Sequence, residues 1–368
     1  MGANYLIFQR DLPIKLGTAH GGAETATLWL ARELANKGNR VILAAELPEG
    51  EETRWGVEFW NYGDTYDVGT ILKRARSLGP YHLLSACRAQ PILEARHEEL
   101  CQSLTFMAHD PSGNSTGVRS TILAKVADNL VCVSEAQKAL FVEQGVAPQD
   151  IKVVYNGANH DVFSAGNVEQ RDWKRIVFVG ALVADKGIDI LIRSFASILQ
   201  KHPAATLDVY GSSEMWKREP FFDHKPIAAQ LPAIKFHGAV TPEVIAEAFR
   251  GAGMCIIPSR WFDSFPLTAV EAQISGCPVV AFNVGGVREI VKHNQTGVLI
   301  PEITEGALAY AMDSLLSSPQ ELKRLSINAL QEIRPRFSWG VTADRIIELC
   351  QQSSPSLSVF LSQALLNQ

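Results

Sequence analysis

The chain has 368 residues, 46% of them hydrophobic and 20% charged, with a formal net charge of −5. That is about two domains of a globular protein, with enough apolar material for two full cores. No Lys/Arg block exceeds two adjacent residues, so nucleic acid and anionic membrane are excluded as expected partners on charge grounds, and no segment approaches the roughly 18 uninterrupted apolar residues of a bilayer span.

In chain order, "NYLIFQ" predicts a strand, "AETATLWLARELANKG" a helix stopped by Gly38, and "RVILAA" the next strand. The opening "MGANYLIFQRDLP" runs straight into a strand, so no cleavable signal is expected, and the residue spacing is a poor match for N-myristoylation. The stretch from Glu46 to Gln90 has weak patterning. "LTFMAH", "NLVCVS" and "IKVVYN" then read as further strands. Residues 160–174 lack periodicity and predict a linker. Beyond them the pattern restarts with strand "RIVFVG", helix "GIDILIRSFASILQKH", strands "ATLDVYG" and "IKFHGA", helix "PEVIAEAFRGAG", strand "MCIIPS", another helix, and strand "PVVAF". Two helical stretches over 304–317 and 319–334 follow, then a last helix introduced by Ser338. The tail "SSPSLSVFLSQALLNQ" predicts a docked or frayed terminus in preference to a membrane anchor.

Short β-rich runs alternating with helices imply βαβ units and parallel sheets covered on both faces. The restart implies two α/β domains, and a ligand cleft where the carboxyl ends of their strands face each other. The six cysteines form no C-x-x-C pair and sit mostly in apolar runs, which predicts buried free thiols in a reducing compartment.

Chemistry concentrates at the strand–loop–helix junctions. In "GTAHGGAET" (17–25), Gly21 and Gly22 at a helix start would let backbone N–H groups approach an anion, although a plain tight turn accounts for them equally. Neither a G-x-G-x-x-G nor a P-loop pattern is present. In "FVGALVADKGIDIL" (178–191) a strand ends at Gly180, and Lys186 stands at a helix start. A lysine there opposes the helix dipole; a bound dianion would offset the mismatch, and simple solvation is the alternative. In "PSRWFDSFPLTAVEAQISGCPVV" (258–280), Asp263 and Glu271 stand eight residues apart with no obvious basic partner. The N–H groups of Ser264, Phe265 and Leu267, around Pro266 as a first helical turn, suit a phosphate. Glu271 suits the vicinal hydroxyls of a sugar, or serves merely as an acid near a helix N-terminus. His109 lies at the carboxyl end of a strand with Asp110 beside it.

The ordered set "HGGAE" (20–24), "AHD" (108–110), "VSEAQK" (133–138), "YNGANHDVF" (155–163), "VGALVADKGID" (179–189), 258–281 and "GGVREIV…TGVLI" (285–300) resembles the retaining glycosyltransferases of family 4, over nearly the whole length. The resemblance implies an α/β fold of the GT-B type, with two Rossmann-like doubly wound domains facing across a cleft. The division would be 1–165 on the acceptor side and 166–336 on the nucleotide-sugar side, with 337–368 packing back toward the first domain. It implies metal-free sugar transfer from a nucleotide-diphosphate sugar (UDP-sugar or GDP-mannose), with no cofactor. The acceptor would be a glycan, lipid or small molecule. The setting would be cytoplasmic, with weak peripheral contact at the inner membrane face allowed.

By the same resemblance, Glu271 would take the ribose hydroxyls and Asp263 those of the transferred sugar. Lys186 would neutralise the diphosphate, helped by Gly22 and the backbone from Ser264 to Leu267. His109 would lie against the donor sugar, and "FHGAV" (236–240), with His237 and Val240, would approach the base. Three positions depart from the family pattern. Ala181 stands where an Arg is usual, a loss Arg260 would compensate. Asp263 replaces Glu, and Asn159 replaces the Asp of "NGVD". A non-catalytic nucleotide-sugar-binding protein on the same fold is the competing expectation.

Overall fold

The structure, a computed structural model, describes residues 2–9, 13–14, 21–110, 118–212 and 225–353. The chain divides into two compact units. One contains 20–157 together with the N-terminal strand and the segment from Trp339, and the other contains 158–338. The division falls after Gly157, somewhat before the expected 165, and the C-terminal segment joins the first unit from Trp339.

The first unit follows the order β1 (Asn4–Gln9), α1 (Gly22–Asn36), β2 (Arg40–Ala45), β3 (Glu52–Arg54), β4 (Val57–Asn61), α2 (Val68–Ala75), β5 (Tyr81–Ala86), α3 (Gln90–Ala95), β6 (Cys101–Ala108), α4 (Ser120–Val126), β7 (Asn129–Cys132), α5 (Glu135–Glu143) and β8 (Ile151–Val153). Its sheet runs β3-β4-β2-β1-β5-β6-β7-β8, parallel except for the β3–β4 hairpin. The weakly patterned Glu46–Gln90 stretch resolves into this edge hairpin, two short helices and β5.

The second unit contains β9 (Asp172–Val179), α6 (Ile188–Ile198), β10 (Thr206–Tyr210), α7 (Lys225–Gln230), β11 (Ile234–Gly238), α8 (Pro242–Gly251), β12 (Ala252–Ile257), α9 (Leu267–Ile274), β13 (Val279–Phe282), α10 (Val287–Ile290), β14 (Gly297–Ile300), α11 (Glu305–Leu316) and α12 (Pro319–Glu332). Its sheet is wholly parallel, in the order β11-β10-β9-β12-β13-β14. Fully buried Ile176, Leu207, Val209, Met254, Ile256 and Val280 make one face of this sheet apolar, and Ile188, Leu191 and Phe195 of α6 cover it. The strand order reverses between β9 and β12, so the loops leaving their carboxyl ends diverge to opposite faces and open a crevice there.

The last helix among the described residues, α13 (Trp339–Gln352), packs on α1 and β6 of the first unit. Asn129 donates to the Leu349 carbonyl at 3.4 Å and to Ser353 Oγ at 2.9 Å, Thr342 Oγ1 donates to the Tyr155 carbonyl at 2.8 Å, and Lys37 pairs with Asp344 at 2.8 Å. The tail beyond Ser353 lies outside the described residues, as does Gly17–His20 of the first glycine-rich stretch.

The linker expected over 160–174 is laid into the second unit instead, and β9 already begins at Asp172. Buried Arg171 donates to the carbonyls of Phe249 (2.7 Å), Ala252 (2.8 Å) and Ser275. Arg250 reaches the Val162 carbonyl, and Arg334 the carbonyls of Phe163 and Ile274. A segment without hydrophobic periodicity is thereby fixed through backbone carbonyls, which a periodicity argument does not register. Asn159 keeps the local turn expected of an aspartate: its Oδ1 accepts the Asp161 N–H at 2.9 Å.

Candidate functional site

In the second unit, the loop leaving β9 passes Gly180 and Ala181 and tightens into a 3₁₀ turn, Ala184–Lys186. Lys186 therefore closes this turn and does not open the helix. Gly187, at φ 72°, caps α6. Gly187 also lies against the loop leaving β12, where an added Cβ would stand 1.9 Å from the Pro258 carbonyl oxygen. That approach and the left-handed backbone both require glycine.

The two loops are joined by backbone hydrogen bonds. Arg260 N–H and Trp261 N–H donate to the Asp185 carbonyl at 2.9 and 3.3 Å. Arg260 also donates through Nε to the Ala184 carbonyl at 2.9 Å and pairs with Asp189 at 2.8 Å. The compensating role for Ala181 expected of Arg260 is thus corrected. Its guanidinium splints the 3₁₀ turn and is committed to a carbonyl and a carboxylate.

This splinting sets Lys186 Nζ 2.7 Å from Asp263 Oδ2, with the two side chains 29% and 24% exposed. The acid that lacked a visible basic partner in the sequence has one 77 residues away. The Asp263 backbone is fixed from the other side: its carbonyl accepts the Gly286 N–H at 2.8 Å, and Gly285 lies close against it.

After Asp263 the chain turns inward. Ser264, Phe265 and Pro266 are buried, Phe265 meeting the Phe337 ring edge-on at 5.6 Å. Pro266 caps α9, which begins at Leu267. The Ser264 hydroxyl is buried with no hydrogen-bond partner among the described residues. Glu271 stands one turn into α9, partly exposed. Burial of its carboxyl pushes the pKa up to about 7, and no side chain among the described residues donates to it. An uncompensated carboxyl and an unpartnered hydroxyl at one helix start are built for a hydrogen-bonding ligand, since such groups are otherwise costly to bury.

Gly180 donates its N–H to the Tyr210 carbonyl at 3.0 Å, and a Cβ at Gly211 would stand 1.8 Å from the Gly180 carbonyl oxygen. His237 enters a network the sequence did not reveal. Its Nε2 lies 2.7 Å from Asp208 Oδ1, and its ring stacks on Tyr210 at 4.4 Å. Asp208 also accepts from Arg175 at 2.6 Å. Burial works to raise the Asp208 pKa, but the hydrogen bonds from His237 and Arg175 outweigh it and hold the carboxylate low. The nominated His237 edge is therefore engaged with Asp208, and Val240 lies partly buried just beyond β11.

In the first unit, His109 directly follows β6. Its Nε2 is buried with no hydrogen-bond partner among the described residues, and burial, opposed by Asp110, pulls its pKa down to about 4. The imidazole is therefore neutral near pH 7. Gln137, in the "VSEAQK" stretch but given no role from the sequence, holds this loop: its Nε2 donates to the Asp110 carbonyl at 2.7 Å and its Oε1 accepts the Val133 N–H. Gly21 caps α1 with φ −65°, and Gly22 begins it. An added Cβ at Gly22 would meet nothing within 4 Å among the described residues, so their packing does not require glycine there.

Residues 161–332 match the family Glycosyl transferases group 1, and residues 20–162 match Glycosyltransferase Family 4. An uncharacterized glycosyltransferase of Methanocaldococcus jannaschii is 30% identical over 233 residues, 60% of this chain and 59% of that protein. A D-inositol 3-phosphate glycosyltransferase of Rhodococcus opacus is 28% identical over 256 residues, 65% of this chain and 56% of that protein. The matched region spans under two thirds of these relatives' length. Among solved structures, Anabaena Alr3699/HepE in complex with UDP-glucose superposes with a TM-score of 0.74 at 18% identity, covering 95% of this chain and 99% of that one. Sucrose-phosphate synthase from Thermosynechococcus elongatus gives 0.77 at 18% identity, covering 95% and 98%. These likenesses establish the fold as GT-B, with two parallel-sheet α/β units. No helix among the described residues is long and apolar enough to cross a membrane.

Proposed function

Because the chain belongs to the group 1 glycosyltransferases, we propose that it moves a hexose-type sugar from a nucleotide-diphosphate sugar to an acceptor hydroxyl, with retention at the anomeric carbon and without a metal ion. The observation that carries this reading is the junction of the second unit. There a cation, a carboxylate and an unpartnered buried hydroxyl stand on loops fastened to one another, and a carboxyl raised to about 7 stands on the helix that follows.

In this reading the ribose diol donates to Glu271, Lys186 and the amides at the start of α9 face the diphosphate, and Asp263 accepts from the sugar. Fixed positive groups aimed at the departing diphosphate supply most of the barrier reduction, because they need no reorganisation as charge develops. The acceptor hydroxyl passes its proton to the departing phosphate on the same face of the sugar. Neutral His109 is assigned to positioning and shielding the transferred sugar. Gly180 and the backbone near His237 and Val240 are assigned to the nucleoside.

UDP-glucose, the ligand of the Anabaena structure, is the donor to try first, with GDP-mannose second. Phosphorylated polyols join glycans and lipids as acceptors to try, following the relatives' names. The six cysteines are buried and no disulfide joins them, which suits a reducing compartment, and we assign the reaction to the cytoplasm.

A second reading, nucleotide-sugar binding without transfer, is favoured by Ala181, which leaves the diphosphate without a bidentate guanidinium. Mixing donor with a panel of acceptors separates the two. Release of free nucleoside diphosphate together with a new glycoside of unchanged anomeric configuration by NMR, in the presence of excess chelator, supports transfer. Binding without release supports the second reading. An inverted product overturns retention, and loss of activity on chelation overturns metal independence.

A further inference from the structure

The Lys186–Asp263 pair joins two side chains that the donor would need separately. Both stand on fixed backbone. The 3₁₀ turn is closed by the Lys186 N–H on the Val183 carbonyl at 3.1 Å and splinted by Arg260, while Asp263 is clamped by Gly286. Any exchange of partners is therefore a side-chain movement. The lysine has four rotatable methylenes and the aspartate one, so the lysine is the partner that swings. With about a quarter of each side chain exposed, the pair is weak enough to be exchanged.

Resting on the proposed function, we infer that Asp263 is a built-in competitor for Lys186 that favours the loaded donor over the spent nucleotide. A nucleoside diphosphate that draws Lys186 away leaves the Asp263 carboxylate facing the site without a donor. A nucleotide-sugar draws Lys186 away and supplies hydroxyls to that carboxylate. Once the sugar has been transferred, Asp263 recovers Lys186 and the diphosphate loses its counter-charge. Selectivity of this kind arises from a penalty on the wrong ligand as much as from contacts to the right one. The aspartate, with a single methylene, cannot follow the departing ammonium.

The test is calorimetry with UDP and UDP-glucose, or GDP and GDP-mannose if the wild type binds those. Asp263→Asn should tighten the nucleoside diphosphate by about two- to fivefold, the scale of a partly exposed ion pair, while weakening the nucleotide-sugar or leaving it unchanged. The diphosphate should become a stronger product inhibitor. In a Lys186→Ala background the same substitution should have no effect on diphosphate affinity. Unchanged or weakened diphosphate binding in Asp263→Asn overturns the inference. So does tightening of equal size without Lys186, which would reflect charge removal alone. If Asp263→Asn fails to fold by circular dichroism, Asp263→Ser carries the same expectations. No nucleotide binding to the wild type overturns this inference and the proposed function together. Normal transfer with a neutral Asp263→Asn overturns this inference alone.

Discussion

Gly187 lies so close to Pro258 that a side chain there would overlap the proline carbonyl, with the Cβ 1.9 Å from the oxygen. This contact fastens the loop of Lys186 to the loop of Asp263. Gly187→Ala should cost about 2 kcal/mol or more, combining a left-handed backbone with a steric clash. Denaturant unfolding should record that loss, and calorimetry should record weaker nucleoside diphosphate binding than in the wild type. A variant of unchanged stability would show that the loops are not held together in this way.

Glu271 gives a stability prediction with a definite sign. Its folded pKa, about 7, exceeds the ordinary 4.5, so the folded state binds the extra proton. The associated stability is fully present below pH 4.5 and is lost as pH rises through about 7. Glu271→Gln should therefore raise the melting temperature relative to wild type above neutral pH and have little effect in acid. The same variant should lose nucleotide affinity. In the wild type, affinity should fall below neutral pH, because the hydroxyl acceptor becomes protonated.

Lys186→Ala should weaken nucleoside diphosphate binding far more than nucleoside binding, by about tenfold or more for a charge-assisted phosphate contact. Equal losses for both ligands would remove Lys186 from the phosphate.

His109 is held neutral by burial, its pKa near 4 against an ordinary 6.5. The stability this contributes is present above pH 6.5 and is lost as pH falls through about 4. His109→Gln should flatten the acid limb of a melting-temperature profile. On the proposed role, it should also lower kcat more than donor affinity. A change in KM alone would reassign His109 to ground-state binding.

At Gly22 neither a left-handed backbone nor packing among the described residues requires glycine. Gly22→Ala should be neutral or stabilise by up to about 1 kcal/mol, the difference in helix propensity. If the open space at the α1 start receives a ligand, the same variant should weaken donor or acceptor binding. A stabilised variant with full activity would make the site a plain helix start.

The elements were legible in the sequence because parallel strands are continuous apolar runs and their helices are amphipathic. "NYLIFQ" and "RVILAA" coincide with observed strands, and "PVVAF" overruns its strand by Pro278 alone. Their carboxyl ends could therefore be placed, and with them His109, Lys186, Asp263 and Glu271. What escaped were partners chosen by the fold. The Lys186–Asp263 pair spans 77 residues, and the Arg260 contact with Ala184 spans 76. The His237–Asp208 bond joins neighbouring strands through side chains that follow no hydrophobic period. Periodicity locates an edge of a sheet, but hydrogen-bond partners across that edge depend on loop closure.

The return of α13 to the first unit has a consequence for the order of assembly. Residues 158–338 are continuous, whereas the first unit is completed only by Trp339–Gln352, whose Leu349 carbonyl and Cys350 thiol meet Asn129 and Thr105. During synthesis the second unit has all its strands before the first has its last helix. The N-terminal sheet must wait, with Thr105 and Asn129 uncovered, until Trp339–Gln352 has emerged. A stop codon after Ser338 would leave the second unit with every strand it needs and the first without its closing helix.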